Sequence, residues 1–180
     1  MIRRIVPLLV VVAASAASPA VAQTRHNSAA PIDFSAGYIE LQDKANRAIL
    51  SGNVNVRQAE MTLTAARMTV NYTGQVVDGS PQVSRMDASG GVTVTRPDQR
   101  ARSQYAVYDL NRRIITMLGG VSLVQGSNTV NGGRLTINLD TGRATIDGSA
   151  AGGTVKAPDG TVTRSGGRVT GRFSVPERRQ

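Results

Sequence analysis

The chain has no cysteine and no tryptophan, and its aromatic residues stop at two Phe and four Tyr. Without cysteine there is no disulfide framework and no thiol chemistry. Without aromatic platforms or a suitably spaced carboxylate pair, a carbohydrate-cleaving site has nothing to be built from. The sole histidine, His26, sits in a polar lead-in where no fixed structure is expected. No G-x-S-x-G is present, and acidic residues fall at turn positions such as Asp43, Asp98 and Asp140. The glycine pairs Gly132-Gly133 and Gly166-Gly167 precede no helical pattern and so are not phosphate loops. These absences predict no enzyme, no metal and no cofactor.

Acidic charge is also scarce, with 21 Lys+Arg against 12 Asp+Glu. Long apolar runs are confined to the N-terminus, where Arg3 and Arg4 precede the apolar stretch Ile5 to Ala17 and an Ala20-Val21-Ala22 site. That stretch falls short of the roughly 20 residues a membrane span needs. It reads as a signal peptide over residues 1–22, cleaved before Gln23, and no other segment is long and apolar enough to span a bilayer. An uncleaved anchor is the less favoured reading. Processing removes only Arg3 and Arg4, leaving a net charge of +7 on about 158 residues. Export without cysteine suits a bacterial periplasm. An exported protein rarely meets nucleic acid, so the arginine excess points to anionic lipid headgroups, to an acidic partner, or simply to solubility.

What the chain does contain is one phrase written three times. SGNVNVRQAEMTLTAARMTVNY at Ser51–Tyr72 returns without a gap at Ser89–Leu110 and at Leu118–Leu139. Each copy opens on a small-residue or glycine pair, runs through an alternation of apolar and polar residues, and closes on a second alternation. A unit of this size cannot bury its own apolar face and must stack on its neighbours. The period is two throughout, and turn signals such as Thr73-Gly74, Asp78-Gly79-Ser80-Pro81, Asn111-Arg112 and Pro158-Asp159-Gly160 separate the runs. The pattern predicts an all-β domain over residues 31–176, after a flexible lead-in at 23–30 and before a polar tail at 177–180. A first strand is expected at Ile32–Leu41. A degraded fourth copy, a flexible stretch at Ser149–Gly160 and a last strand at Arg168–Val175 are expected near the C-terminus.

In a strand, residues i and i+2 share a face. In the first copy that rule turns Val54, Val56, Leu63, Met68 and Val70 inward. In the second it turns Val92, Val94, Tyr108 and Leu110 inward, and in the third Val121, Leu123, Leu135 and Ile137. Ile32 and Phe34 on the first strand follow by the same alternation. Asn53, Arg57, Thr69, Thr93 and Thr136 face water. A sheet greasy on one side must fold into a sandwich, jelly roll or barrel. The lining is mostly Val, Leu, Ile and Met, which suits acyl chains and equally suits a filled core. Pro31 and Pro176 flank the terminal strands without interrupting them, so both sheet edges are open to strand pairing.

These residues are similar to a known pattern. Pro31-Ile32-Asp33-Phe34, then Leu50-Ser51-Gly52-Asn53-Val54-Asn55-Val56-Arg57-Gln58, then Leu63-Thr64-Ala65-Ala66-Arg67-Met68-Thr69-Val70 resemble the OstA/LptA family of periplasmic lipopolysaccharide-transport proteins. Tyr108-Asp109-Leu110, Met117-Leu118-Gly119-Gly120-Val121 and Gly132-Gly133-Arg134-Leu135-Thr136-Ile137 continue the match. Ala59 stands where the family usually has glycine, and Ala66 and Gly133 where it often has aspartate. The resemblance implies a twisted, partly open β-jelly roll built from repeated antiparallel strand pairs. It implies a bridge carrying lipopolysaccharide from inner to outer membrane, with lipid A chains in a groove at the inward positions named above, Ile32, Phe34, Tyr108 and Leu110 among them. It also implies head-to-tail self-association and edge-strand pairing with LptC-like inner-membrane and LptD-like outer-membrane partners. An anchored LptC-like component and a purely structural β-repeat protein remain the competing readings.

The mature protein is expected to begin at Gln23. Mass spectrometry of exported protein checks this, and a chain still starting at Met1 would point to the anchored component instead.

Overall fold

Alternation at period two becomes strand almost wherever it occurs. The computed structural model describes residues 26–74, 81–156 and 162–174. The signal peptide and its cleavage site, the turn at Asp78–Ser80, the Pro158–Gly160 turn, and Pro176 with the tail beyond it lie outside the described residues. Twelve strands are β1 (Ile32–Ser35), β2 (Tyr38–Gln42), β3 (Arg47–Gln58), β4 (Met61–Thr73), β5 (Gln82–Arg96), β6 (Gln99–Asp109), β7 (Ile114–Gln125), β8 (Asn128–Asn138), β9 (Ala144–Asp147), β10 (Ser149–Lys156), β11 (Val162–Gly166) and β12 (Thr170–Arg172). A 3-10 turn at Asp43–Ala45 links β2 to β3. All pairing is antiparallel, and the central sheet runs in sequence order from β3 to β8.

The long strands do not run straight. Register slips between Ser51 and Val54 on β3, between Ser89 and Val92 on β5, and between Leu118 and Val121 on β7. At each slip two consecutive residues take positive φ: Gly52 and Asn53 (76° and 48°), Gly90 and Gly91 (83° and 79°), Gly119 and Gly120 (81° and 59°). These are the pairs that open the three copies. Positive φ is open to glycine and tolerable for asparagine, which explains the composition of the pairs. A bulge bends the strand that carries it. Bulges side by side crease the whole sheet into two leaves.

The first leaf holds β1, the stretches of β3, β5 and β7 after their bulges, the starts of β4, β6 and β8, and β12. The second holds β2, the earlier stretches of β3, β5 and β7, the ends of β4, β6 and β8, and β9. Val56, Leu63 and Val94 of the first leaf share one buried cluster with Leu50, Met68 and Leu135 of the second. Each such side chain contributes about 1.5–3 kcal/mol by leaving water. On β6 the buried positions switch from Ala101 and Ser103 to Ala106 and Tyr108 across the bend. There the Ser103 hydroxyl donates to the Tyr105 carbonyl at 2.7 Å.

Both margins are split in the same way. The expected first strand at Ile32–Leu41 is broken: β1 pairs with one end of β3, β2 with the other, and the Gly37 amide donates to the Gly52 carbonyl at 2.7 Å. The break follows the crease, which an edge strand must also turn. At the far margin β9 and β12 pair with opposite ends of β8. The last strand is therefore Thr170–Arg172 rather than Arg168–Val175. Ser149–Gly160, expected to be flexible, instead contributes β10, which pairs with β11 in a separate two-stranded sheet rather than forming a fourth copy. Gly132-Gly133 lies within β8, where a Cβ on Gly132 would meet the Asp147 carbonyl at 2.8 Å.

The tight hairpin loops carry a local cost. Ala59 opens the two-residue loop between β3 and β4 with φ of 49°, and Gly126 opens the loop between β7 and β8 with φ of 58°. Alanine in that region costs about 1–2 kcal/mol relative to unstrained backbone. Ala59→Gly is therefore expected to stabilise the fold by about 1 kcal/mol and Gly126→Ala to destabilise it by a similar amount. Urea denaturation of the two variants checks both signs.

Candidate functional site

The leaves meet opposite the crease along a seam, and the inward side chains between them form the candidate site. Of the residues expected to face inward, Val54, Val56, Leu63, Met68, Val92, Val94, Tyr108, Val121, Leu123, Leu135 and Ile137 are all buried. Met68 and Leu135 have no exposed surface, so the leaves are packed against each other in this state. Ile32, Val70 and Leu110 are half-buried and pack on the rim of that cluster.

Phe34 differs. It shares a face with its cross-strand partner Val56, as alternation implied, yet it is 57% exposed. The reason is its place on the margin, where no further strand covers it. Ile39 and Leu41 share the face of Leu50 and Ala48 and are exposed for the same reason. Of the eight large hydrophobics exposed among the described residues, Phe34, Tyr38, Ile39 and Leu41 lie on the first margin, and Val169 and Phe173 flank β12 on the last. Exposed apolar area is thus gathered at the two edges rather than spread over the outer face.

The seam carries polar groups as well. Gln58 ends the inward run Val54, Val56 and is 2% exposed. Its Nε2 donates to the carbonyls of Ser28 and Ala30 at 2.9 and 3.1 Å. Those two carbonyls fix which end of the amide is oxygen. Oε1 then accepts from the Tyr108 hydroxyl at 2.7 Å, a bond from one leaf to the other. His26 Nε2, carrying its proton, donates to the same oxygen at 3.3 Å. His26 was expected to lack fixed structure; instead it is part-buried in the seam because Gln58 holds the lead-in there. Burial pushes the Tyr108 phenol above its usual range, so it stays protonated and able to donate. Burial, aided by the charge of Arg96, holds His26 below its usual value, against the opposing pull of the Gln58 hydrogen bond and Glu60. Gln58 and Arg96 are inward positions that the sequence reading missed: they share the parity of Val56 and Val94, but they are polar and stand beside turns.

A family model described as LptA/(LptD N-terminal domain) LPS transport protein matches residues 35–143. The chain belongs to this family. It is 34% identical over 130 residues to an uncharacterized protein of Rhizobium meliloti (strain 1021), covering 70% of this chain and 69% of that one. Its fold is similar to the crystal structure of LptH, the LptA-homologous periplasmic component of the lipopolysaccharide transport device of Pseudomonas aeruginosa. The TM-score is 0.66 at 18% identity, with 83% of this chain and 99% of that chain covered. The creased, open antiparallel sheet is thus the LptA-like β-jelly roll. No helix among the described residues is long and apolar enough to cross a membrane.

The lowered His26 pKa gives a pH signature for the seam. The unfolded chain takes up a proton near pH 6.5, where the folded chain resists it. This part of the stability is full above pH 6.5 and is lost as pH falls through 6.5 towards the folded value. His26→Gln is expected to lose less stability than the wild type between pH 7.5 and 5.5, read from urea midpoints. Equal losses in the two proteins would place His26 outside the seam.

Proposed function

We propose that this protein is a periplasmic carrier of lipopolysaccharide between the inner and outer membranes. Acyl chains lie against the aliphatic lining between the leaves, and sugars stay outside. The observation that carries this reading is the continuity of the apolar inner face from the buried cluster to the uncovered margin at Ile32, Phe34, Ile39 and Leu41. A filled core needs no such ledge. A fatty chain crossing water does, because each methylene sheltered is worth about 0.8 kcal/mol, or on the order of 10 kcal/mol for a long acyl chain. Loading parts the leaves at the seam, where hydrogen bonds rather than covalent links hold them.

Copies join head to tail, the first margin of one to the last margin of the next. The same margins meet LptC-like and LptD-like jelly rolls at either end of the bridge. Support comes from the unequal faces of the two edges. The inner face of the first margin presents Ile32, Phe34, Ile39 and Leu41, while that of the last presents Ala144, Ile146 and Gly171 opposite Ile137, Leu135 and Val130. Large side chains against mostly small ones make a heterologous contact, which repeats rather than closes. The absence of exposed surface on Met68 and Leu135 favours a second reading, a structural repeat with a permanently solid core.

The two readings part on lipid contact. A photoreactive residue at Phe34 or Leu110 is expected to crosslink lipopolysaccharide in cells. Leu110→Asp, which puts a carboxylate on the rim of the lining, is expected to lower outer-membrane lipopolysaccharide while the protein remains abundant and folded. Absence of crosslinks at both positions, with normal lipid levels in the folded variant, would leave the solid-core reading standing.

A further inference from the structure

Each copy ends its inward aliphatic run in the same way. Val54 and Val56 lead to Gln58, Val92 and Val94 to Arg96, Val121 and Leu123 to Gln125. These are equivalent positions, each the last of its strand before a hairpin loop. A polar row therefore marks where the first leaf reaches the seam. Gln58 uses both ends of its amide within the fold. Arg96 does not use its charge in that way. It is 9% exposed, and its Nη1 is buried without any hydrogen-bond partner. The ion pairs found among the described residues are Arg85–Asp87 and Arg113–Asp140, and neither includes Arg96.

A guanidinium taken out of water without a counter-charge is costly, and native folds keep few such groups. Its surroundings are those of an anion site. Gln99, half-buried, is its cross-strand partner on β6. His26 is close enough to feel the charge of Arg96, while its Nε2 proton is engaged by Gln58 Oε1. Glu60, which also acts on His26, is exposed on the adjoining loop and forms no ion pair with Arg96. A planar fork of donors beside a neutral hydrogen-bonding side chain is the arrangement that grips a phosphate.

We propose that Arg96 is a phosphate-binding residue at the seam, taking the phosphate of an anionic amphiphile whose chains lie between the leaves, with Gln99 as a neutral partner and His26 beside it as a reporter. The lipid half of this inference rests on the carrier reading above; the anion half does not. The phosphate sits where the aliphatic run stops, so it sets the depth at which the headgroup halts.

The test uses mature protein and three probes: a short-chain diacylglycerol phosphate below its micelle concentration, the same diacylglycerol without phosphate, and inorganic phosphate. Affinity is measured by calorimetry, and the one histidine is followed by NMR. The wild type is expected to bind the phosphorylated amphiphile about tenfold more tightly than the neutral one, as a charge-assisted bidentate contact allows. Bound phosphate is expected to raise the His26 pKa. Arg96→Met is expected to erase the preference, leave binding of the neutral amphiphile unchanged, and be at least as heat-stable as the wild type when ligand-free. A purely structural arginine would lose stability on that change. If Arg96→Met fails to fold, Arg96→Gln carries the same comparison.

Equal wild-type affinity for the two amphiphiles, with no response of His26, overturns the phosphate site and leaves the carrier reading intact. A response of His26 to inorganic phosphate that depends on Arg96, with neither amphiphile bound, upholds the anion site and removes the lipid. No response to any probe overturns both.

Discussion

The structure depends on a line of backbone kinks. Without positive φ at Gly52-Asn53, Gly90-Gly91 and Gly119-Gly120, the long strands would form an open sheet with one apolar face in water. With the kinks, the sheet doubles over and each of the long strands β3 to β7 contributes to both walls of the interior. The repeat is thus a unit of bending as much as of pairing. Each copy begins at a kink, crosses the first leaf twice through a hairpin, and ends in the second leaf. This explains why three copies align without gaps: one inserted residue would move the kink out of line with its neighbours.

Doubling over leaves a hinge on one side and a seam on the other, and the two are held differently. The hinge is continuous covalent backbone. The seam is closed by apolar contact and by one amide, Gln58, which ties the lead-in to the first leaf and reaches Tyr108 in the second. A container that must admit cargo is best closed by contacts that can be broken one at a time. The polar row at the seam also separates two environments, the aliphatic interior and the solvated exterior, along the line an amphiphile would straddle.

Much of this was legible in the sequence, and the limits are instructive. Alternation identified the faces correctly because a half-buried strand has no other period. It could not say that Phe34 would be exposed, since burial depends on whether a further strand exists and not on the residue's own strand. It missed Gln58 and Arg96, which share the parity of Val56 and Val94, because polar residues beside turn signals point towards loops. The glycine pairs were visible as openings of the copies. Their role in creasing the sheet emerges only once the strands are paired and the pairs fall side by side. His26 gave no signal, because a lead-in with no apolar pattern reveals nothing of the side chain that captures it.

The C-terminal margin has one more property. Gly148, just after β9, and Gly167, just after β11, lie so close that neither has room for a Cβ beside the other's carbonyl. The chain thus departs from the margin and returns to it at nearly the same point. The two ends of the intervening segment are thus already joined in space, so its length is decoupled from the register of the sheet. Such a site accepts insertion or trimming at little entropic cost. It gives the scaffold a place to acquire or discard a peripheral feature while its creased body stays unchanged.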